Sequence, residues 1–113
     1  DLTGAAWRDD RLYVWDHDTL RALDGATLRE VWAQPLNGRL PVGTPVRVDD
    51  DLWFAAAGGD VWSCDPATGV TRQTTALPQA LSLGLVRVGD DLWAWACDGT
   101  LWLVPRQAGE AAP

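Results

Sequence analysis

The sequence contains no Lys, no Ile and no Met, and its nine basic residues are all Arg. The codons of the missing residues are AT-rich, which points to a high-GC bacterial coding sequence. The chain starts at Asp1 rather than Met, so it is expected to be processed or excised from something longer. No early run reads as a leader peptide, and no apolar run approaches the ~20 residues of a membrane span. Membrane insertion is therefore not expected. No basic stripe offsets the net charge of −7, which argues against a nucleic-acid partner. The compartment stays open. The two cysteines, Cys64 and Cys97, are neither adjacent nor in a CxxC. Each is expected as a buried structural thiol, and a disulfide between them remains an alternative.

What is present is a 113-residue chain that is 47% apolar, which fits one globular domain with a modest core. Aromatic usage is skewed to eight Trp against one Tyr and one Phe. The stretch Thr44–Gly69, TPVRVDDDLWFAAAGGDVWSCDPATG, reads as three short strands joined by two tight turns, and its flanks are imperfect copies of it. Leu12, Leu52 and Leu92 stand forty residues apart, each followed by an aromatic (Tyr13, Trp53, Trp93) and preceded by a polar turn. A further short strand follows in each copy, from Thr19, Asp60 and Thr100. The spacing predicts strands GAAWR, LYVW, TLRALD and LREVWA in the first copy, ended by the linker QPLNGRLPVG over 34–43. The second copy predicts TPVRV, LWFAAA, DVWSCD and the polar VTRQT. In the third, after the connection ALPQALSLG, LVRV, LWAWAC and TLWLV lead to Pro105 with no convincing fourth strand.

LYVW, LWFAAA and LWAWAC are apolar on both faces, so both faces should be covered. Small antiparallel sheets stacked face against face satisfy that demand, which is the packing of β-propeller blades. The expected fold is all-β: a partial propeller of three four-stranded blades, the third incomplete, near residues 3–34, 43–75 and 82–113. Gly59 and Gly99 suit the hairpin turns by tolerating positive φ, with Asp18 expected in that left-handed role in the first copy.

ALDGATLREVW (22–32) resembles the quinoprotein, or PQQ-like, propeller repeat AxDxxTGxxxW at Ala22, Asp24, Thr27 and Trp32. SCDPATGVTRQ (63–73) is similar to it at Asp65, Thr68 and Gly69, with Ser63 for Ala and Gln73 for Trp; the third copy keeps only Gly109. The resemblance implies that the Trp docks between blades and that the Asp-Thr-Gly segment shapes the turn before the outer strand. Those residues are then structural.

Three blades fall short of a ring of four to eight, so an open arc would leave two apolar blade faces bare. A face on the order of 500 Å² left wet forgoes roughly 12 kcal/mol at ~25 cal/mol/Å². These faces are expected to meet a protein partner, the remaining blades of a parent propeller, or a second copy giving a six-bladed ring. The missing initiator Met favours the parent.

Chemistry is sparse. His17 is the only His and lies between two Asp, so it is expected as an exposed turn residue and offers no triad and no convergent zinc site. Asp49-Asp50-Asp51 and Asp90-Asp91 lack the alternating ligands of a calcium loop. No metal and no cofactor is expected. Arg47 and Arg87 fall at equivalent inner-strand positions, with Trp7 at the corresponding place in the first copy; all three are candidate binding residues at the channel, the Arg for an anionic group. Trp53, Trp62, Trp93, Trp95 and Trp102 could supply a sugar platform, though blade packing is the plainer role. The leading expectation is a non-catalytic protein–protein interaction module, a scaffold or sensor region of a larger bacterial protein. The alternative is a carbohydrate-binding propeller, since GGDVWSCD and DGTLWLV are also similar to tectonin-type lectin repeats. A fragment of a quinone-dependent dehydrogenase is the outsider, because such enzymes carry a vicinal Cys pair and a calcium site.

Overall fold

A computed structural model describes residues 3–106 of the chain. Every regular element is a strand: β1 (Gly4–Arg8), β2 (Arg11–Trp15), β3 (Thr19–Asp24), β4 (Glu30–Pro35), β5 (Pro41–Val48), β6 (Asp51–Ala56), β7 (Asp60–Cys64), β8 (Thr71–Ala76), β9 (Leu81–Val88), β10 (Asp91–Ala96) and β11 (Leu101–Leu103). They form three antiparallel sheets in chain order: β1-β2-β3-β4, β5-β6-β7-β8 and β9-β10-β11. The forty-residue period is a register. Trp7 lies opposite Leu12, Arg47 opposite Leu52 and Arg87 opposite Leu92. The innermost strands β1, β5 and β9 lie side by side. The architecture is a partial propeller. The third sheet has no fourth strand among the described residues, and Gly109 and the predicted end of that unit at 113 lie outside them.

Several expected boundaries move. β4 starts at Glu30, two residues after the expected Leu28, because Leu28 (φ 61°) belongs to a corner. β8 likewise starts after Gly69-Val70 and runs on to Ala76. The linker 34–43 does not end outside the second sheet: Pro41 and Val42 pair with Ala56 and Ala55 before a bulge, so β5 begins inside it. Leu81 similarly pairs with Ala96, drawing part of the connection ALPQALSLG into β9. Two glycines make this possible. Gly43 (φ 70°) and Gly84 (φ 86°) press the inner strands together, and a Cβ on Gly84 would lie 2.6 Å from the carbonyl oxygen of Val42. Asp18 is not in the left-handed region. Its turn is held instead by Asp16, whose carboxylate accepts from the N–H groups of Asp18 (2.8 Å) and Thr19 (2.7 Å). Left-handed residues sit one turn away, at Asp9 (φ 53°), Asp10 (φ 62°) and Asp49 (φ 54°).

The core is two layers, one at each blade junction. Between the first and second sheets, Tyr13, Trp15, Leu20 and Trp32 meet Leu52, Phe54, Ala56 and Trp62. Phe54 takes the edge of Tyr13 at 5.7 Å and stacks on Trp62 at 5.3 Å, and the Arg39 guanidinium caps Trp62 at 4.4 Å. Between the second and third sheets, Val46, Trp53, Ala55 and Val61 meet Leu85, Leu92, Ala94 and Ala96. β6 thus buries both of its faces, as its unbroken apolar run requires. β10 buries only Leu92, Ala94 and Ala96, while Trp95 is 38% exposed on the other face. No sheet covers the outward side of LWAWAC among the described residues, so it is one of the two end faces that an open arc leaves bare.

One buried pair is poorly matched. Trp53 Nε1 and the Ser63 hydroxyl, on residues facing each other across β6 and β7, have no hydrogen-bond partner among the described residues. Ser63→Ala removes an unsatisfied hydroxyl at no cost in packing, so it should raise stability by about 1 kcal/mol. Phe54→Ala opens a cavity in the first junction and should lower it by ~3–5 kcal/mol. Urea unfolding followed by Trp fluorescence measures both, and a destabilised Ser63→Ala would show that the hydroxyl has a partner after all.

Candidate functional site

Two corners organise the outer edge. Asp24 and Asp65 end β3 and β7 and turn the chain back into β4 and β8. The Asp24 carboxylate accepts from the N–H groups of Ala26 (2.8 Å) and Thr27 (3.0 Å), and Asp65 accepts from Ala67 N–H (2.8 Å). Thr27 and Thr68 hydroxyls accept from Arg29 and Val70 N–H. Trp32 of the first blade lies on the second blade's corner: its indole N–H donates to the Pro66 carbonyl at 2.9 Å, and Arg11 donates to the same oxygen at 2.5 Å. Gly69 (φ 78°) is the point of contact, where a Cβ would lie 2.5 Å from the Trp32 ring. Backbone N–H donors hold the Asp24 carboxyl below its usual range, Thr27 first and Ala26 next. Asp16 is lowered by the Asp18 and Thr19 N–H groups, and Asp98 chiefly by that of Thr100. Gly59 (φ 112°) and Gly99 (φ 92°) close the hairpins, each donating its N–H to the carbonyl three residues earlier at 3.0 Å.

The candidate binding residues do not act as one set. Arg87 is committed to the main chain, donating to the carbonyls of Gly89 (2.8 Å) and Arg47 (3.0 Å), with Asp90 at 3.9 Å. The Arg47 side chain is exposed and makes no hydrogen bond or ion pair among the described residues. It borders two open clefts of about 450 and 440 Å³, the second shared with Arg87. Trp7 is elsewhere, 54% exposed on the outward face of the first blade. The third arginine of the second cleft is Arg8, which donates to the Pro45 carbonyl at 3.0 Å. The forty-residue period gives no sign of Arg8, because it aligns Trp7 with the two arginines.

The Trp side chains divide by burial. Trp53 (1% exposed) and Trp62 (3%) are inside the junctions and present no platform. Trp102 is half-buried, with its indole N–H on Gln79 at 2.8 Å. His17 is exposed. Among the described residues no group of three or more His, Cys, Asp or Glu is placed to hold a metal. Both cysteines are free thiols. Cys64 is buried, but Cys97 is exposed, contrary to expectation, because it opens the hairpin turn after β10. Burial, reinforced by Asp51 and Asp65, pushes the Cys64 thiol up to about 12.

Two outward blade faces carry exposed apolar side chains. On the third blade, Val86 (42% exposed), Trp95 (38%), Leu101 (49%) and Leu103 (52%) surround half-buried Trp93. A groove of about 230 Å³, almost wholly apolar, runs among Val86, Val88, Trp93, Trp95 and Leu101. On the first blade, Trp7, Leu12, Val14, Leu23 and Val31 share the outward side by register; Val14 is buried, Trp7 and Val31 (37%) are exposed, and Arg21, opposite Val14, pairs with Asp16 and Glu30 on the same side.

The chain matches no family model and no curated protein sequence. Its fold is similar to solved structures. BamB from Moraxella catarrhalis superposes with a TM-score of 0.69 at 18% identity, over 88% of this chain and 30% of that one. The computationally designed protein Ika4 gives 0.69 at 17%, over 92% of this chain and 65% of its own, and designed Ika8 gives 0.66 at 19%, over 92% and 33%. These likenesses identify the fold as that of a β-propeller. The chain spans about a third of the length of BamB and Ika8.

Thiol reagents should distinguish the cysteines. In the native state one thiol, Cys97, should react promptly, and Cys64 only after unfolding; equal native rates would contradict the burial. Acid behaviour follows from the lowered carboxyls. Asp16, Asp24 and Asp98 have folded pKa values below the ordinary 3.8, so their stabilisation is complete above that value and is lost as pH falls through the folded ones. Asp24→Asn should flatten the decline in stability below pH 3.8, measured by urea midpoints at successive pH values.

Proposed function

We propose that the chain is a non-catalytic, PQQ-like propeller module that works by binding protein surfaces, as a scaffold or sensor region of a larger bacterial protein. Its repeat units run near 3–34, 43–75 and 82–113. Asp24, Thr27, Trp32, Gly59, Asp65, Thr68, Gly69 and Gly99 serve its structure, and Trp7, Arg47 and Arg87 border its contact surfaces. The observation that carries the reading is exposed apolar surface at opposite ends of the stack, Val86, Trp95, Leu101 and Leu103 at one end and Trp7 and Val31 at the other. Contiguous apolar surface of this kind marks a protein contact far more often than a solvated face. Glycan binding has less support, because two of the five Trp that could stack a sugar are buried in the junctions. A quinone site has less again: buried Cys64 ends β7 and exposed Cys97 follows β10, so they are no vicinal pair.

Photo-crosslinking residues placed at positions 7, 74 and 101 test the reading in cells that express the protein. Positions 7 and 101 should give protein adducts, while Thr74 on the exposed edge strand β8 should give none. Absence of adducts at both end faces, or a glycan array that shows specific sugar binding, would overturn it.

A further inference from the structure

We infer that the bare face of the third blade is a socket for the first blade of a second copy of this chain, so that two copies close a six-bladed ring head to tail. The inference rests on the protein-interaction reading above and names the partner.

The argument comes from two residue series at the forty-residue spacing. Tyr13, Trp53 and Trp93 point forward, towards the next blade. Tyr13 (3% exposed) is covered by the second sheet and Trp53 (1%) by the third. Trp93 is the same position with no sheet on it among the described residues. Leu12, Leu52 and Leu92 point backward. Leu52 (1%) is covered by the first sheet and Leu92 (0%) by the second, while Leu12 is half-buried with no sheet behind it among the described residues. Each series therefore has two satisfied members and one unsatisfied member, and the unsatisfied ones lie at opposite ends of the stack. The forward face of the third blade lacks what the first blade's backward face supplies: a Leu in register with Leu52 and Leu92, flanked by Leu23 and half-exposed Trp7, beside Val14 and the Arg21 opposite it, which pairs with Asp16 and Glu30.

The end faces of the three described blades cannot meet each other, because three blades are fewer than the four to eight of a closed propeller. Head-to-tail contact between copies either closes or propagates into a filament. Propellers close with four to eight blades, and the only multiple of three in that range is six. Two copies then form two identical junctions. The junction already present between the second and third blades is the precedent. It forms without a Trp docked on a corner, since Gln73 stands where the first blade has Trp32 and Pro105 where the other blades have Asp.

Light scattering on the purified 113-residue chain, at micromolar concentration and above, should give twice the 12.3 kDa chain mass. Trp7→Glu breaks only the backward face and Leu101→Glu only the forward face; both positions are about half exposed, so the blades should still fold, as circular dichroism and melting will record. Each variant alone should run as a single chain. Mixed in equal amounts, they should recover a dimer, because one of the two junctions then unites two intact faces. A monomeric parent chain overturns the inference, and so does a mass that climbs with concentration. A Trp7→Glu variant that stays dimeric also overturns it, by indicating that two third-blade faces pair with each other. Crosslinks from position 101 to a different polypeptide, together with a monomeric chain, would remove the second copy and leave the protein-interaction reading standing.

Discussion

A strand that is apolar on both faces must be covered twice, and the rest of this structure follows from meeting that demand. β6 carries Leu52, Phe54 and Ala56 on one side and Trp53 and Ala55 on the other, and all five are buried. No single sheet can do this in water, because one side of its middle strand would be wet. Two flanking sheets can, and they in turn carry middle strands of the same kind. The requirement passes outward from blade to blade and is left unmet at the two ends. Stability in such a stack is close to a sum of blade terms and nearest-neighbour junction terms, so the end faces are where a further junction adds most.

The two junctions are not equal. The first is an aromatic layer reinforced at its rim, with Trp32 on Pro66, Gln34 donating to the Thr68 carbonyl at 3.1 Å, and Arg8 and Arg11 bonded to second-blade carbonyls. The second is aliphatic, includes the unmatched Trp53 and Ser63 groups, and is open along its rim in a cleft of about 430 Å³ beside Gln73 and Pro105. Several directional side-chain bonds fix how the first two blades meet, whereas the third blade has the Arg87 bond to the Arg47 carbonyl beside its close packing.

Much of this was legible in the sequence, because the period that a reader counts is also the register that the backbone keeps. Leu12, Leu52 and Leu92 mark equivalent pairs in all three sheets, and the DPATG corner was readable from its resemblance. What escaped depends on groups distant in sequence or on backbone geometry. Asp18 was expected to bend the chain by visiting the left-handed region, but the neighbouring Asp16 carboxylate captures two N–H groups and makes that unnecessary. Cys97 reads like part of an apolar strand and falls one residue beyond it. The first residues of β5 and β9 look like linker, and they pair only because bulges bring them back onto their neighbours. Arg8 joins the channel cleft through a carbonyl thirty-seven positions away, a contact that no local pattern encodes.

Gly43 and Gly84 matter beyond their own backbone. They are the place where neighbouring blades touch at the inner edge, with nothing but hydrogen between one main chain and the next. Blades are wedges, and the angle of a wedge is set by how closely its narrow edges approach. A methyl group at either position would push the narrow edges apart while the broad edges stayed where they are, and the arc would flatten. The number of blades needed to complete a circle would then rise. The size of ring to which this chain can belong is thus written in part by two residues that have no side chain.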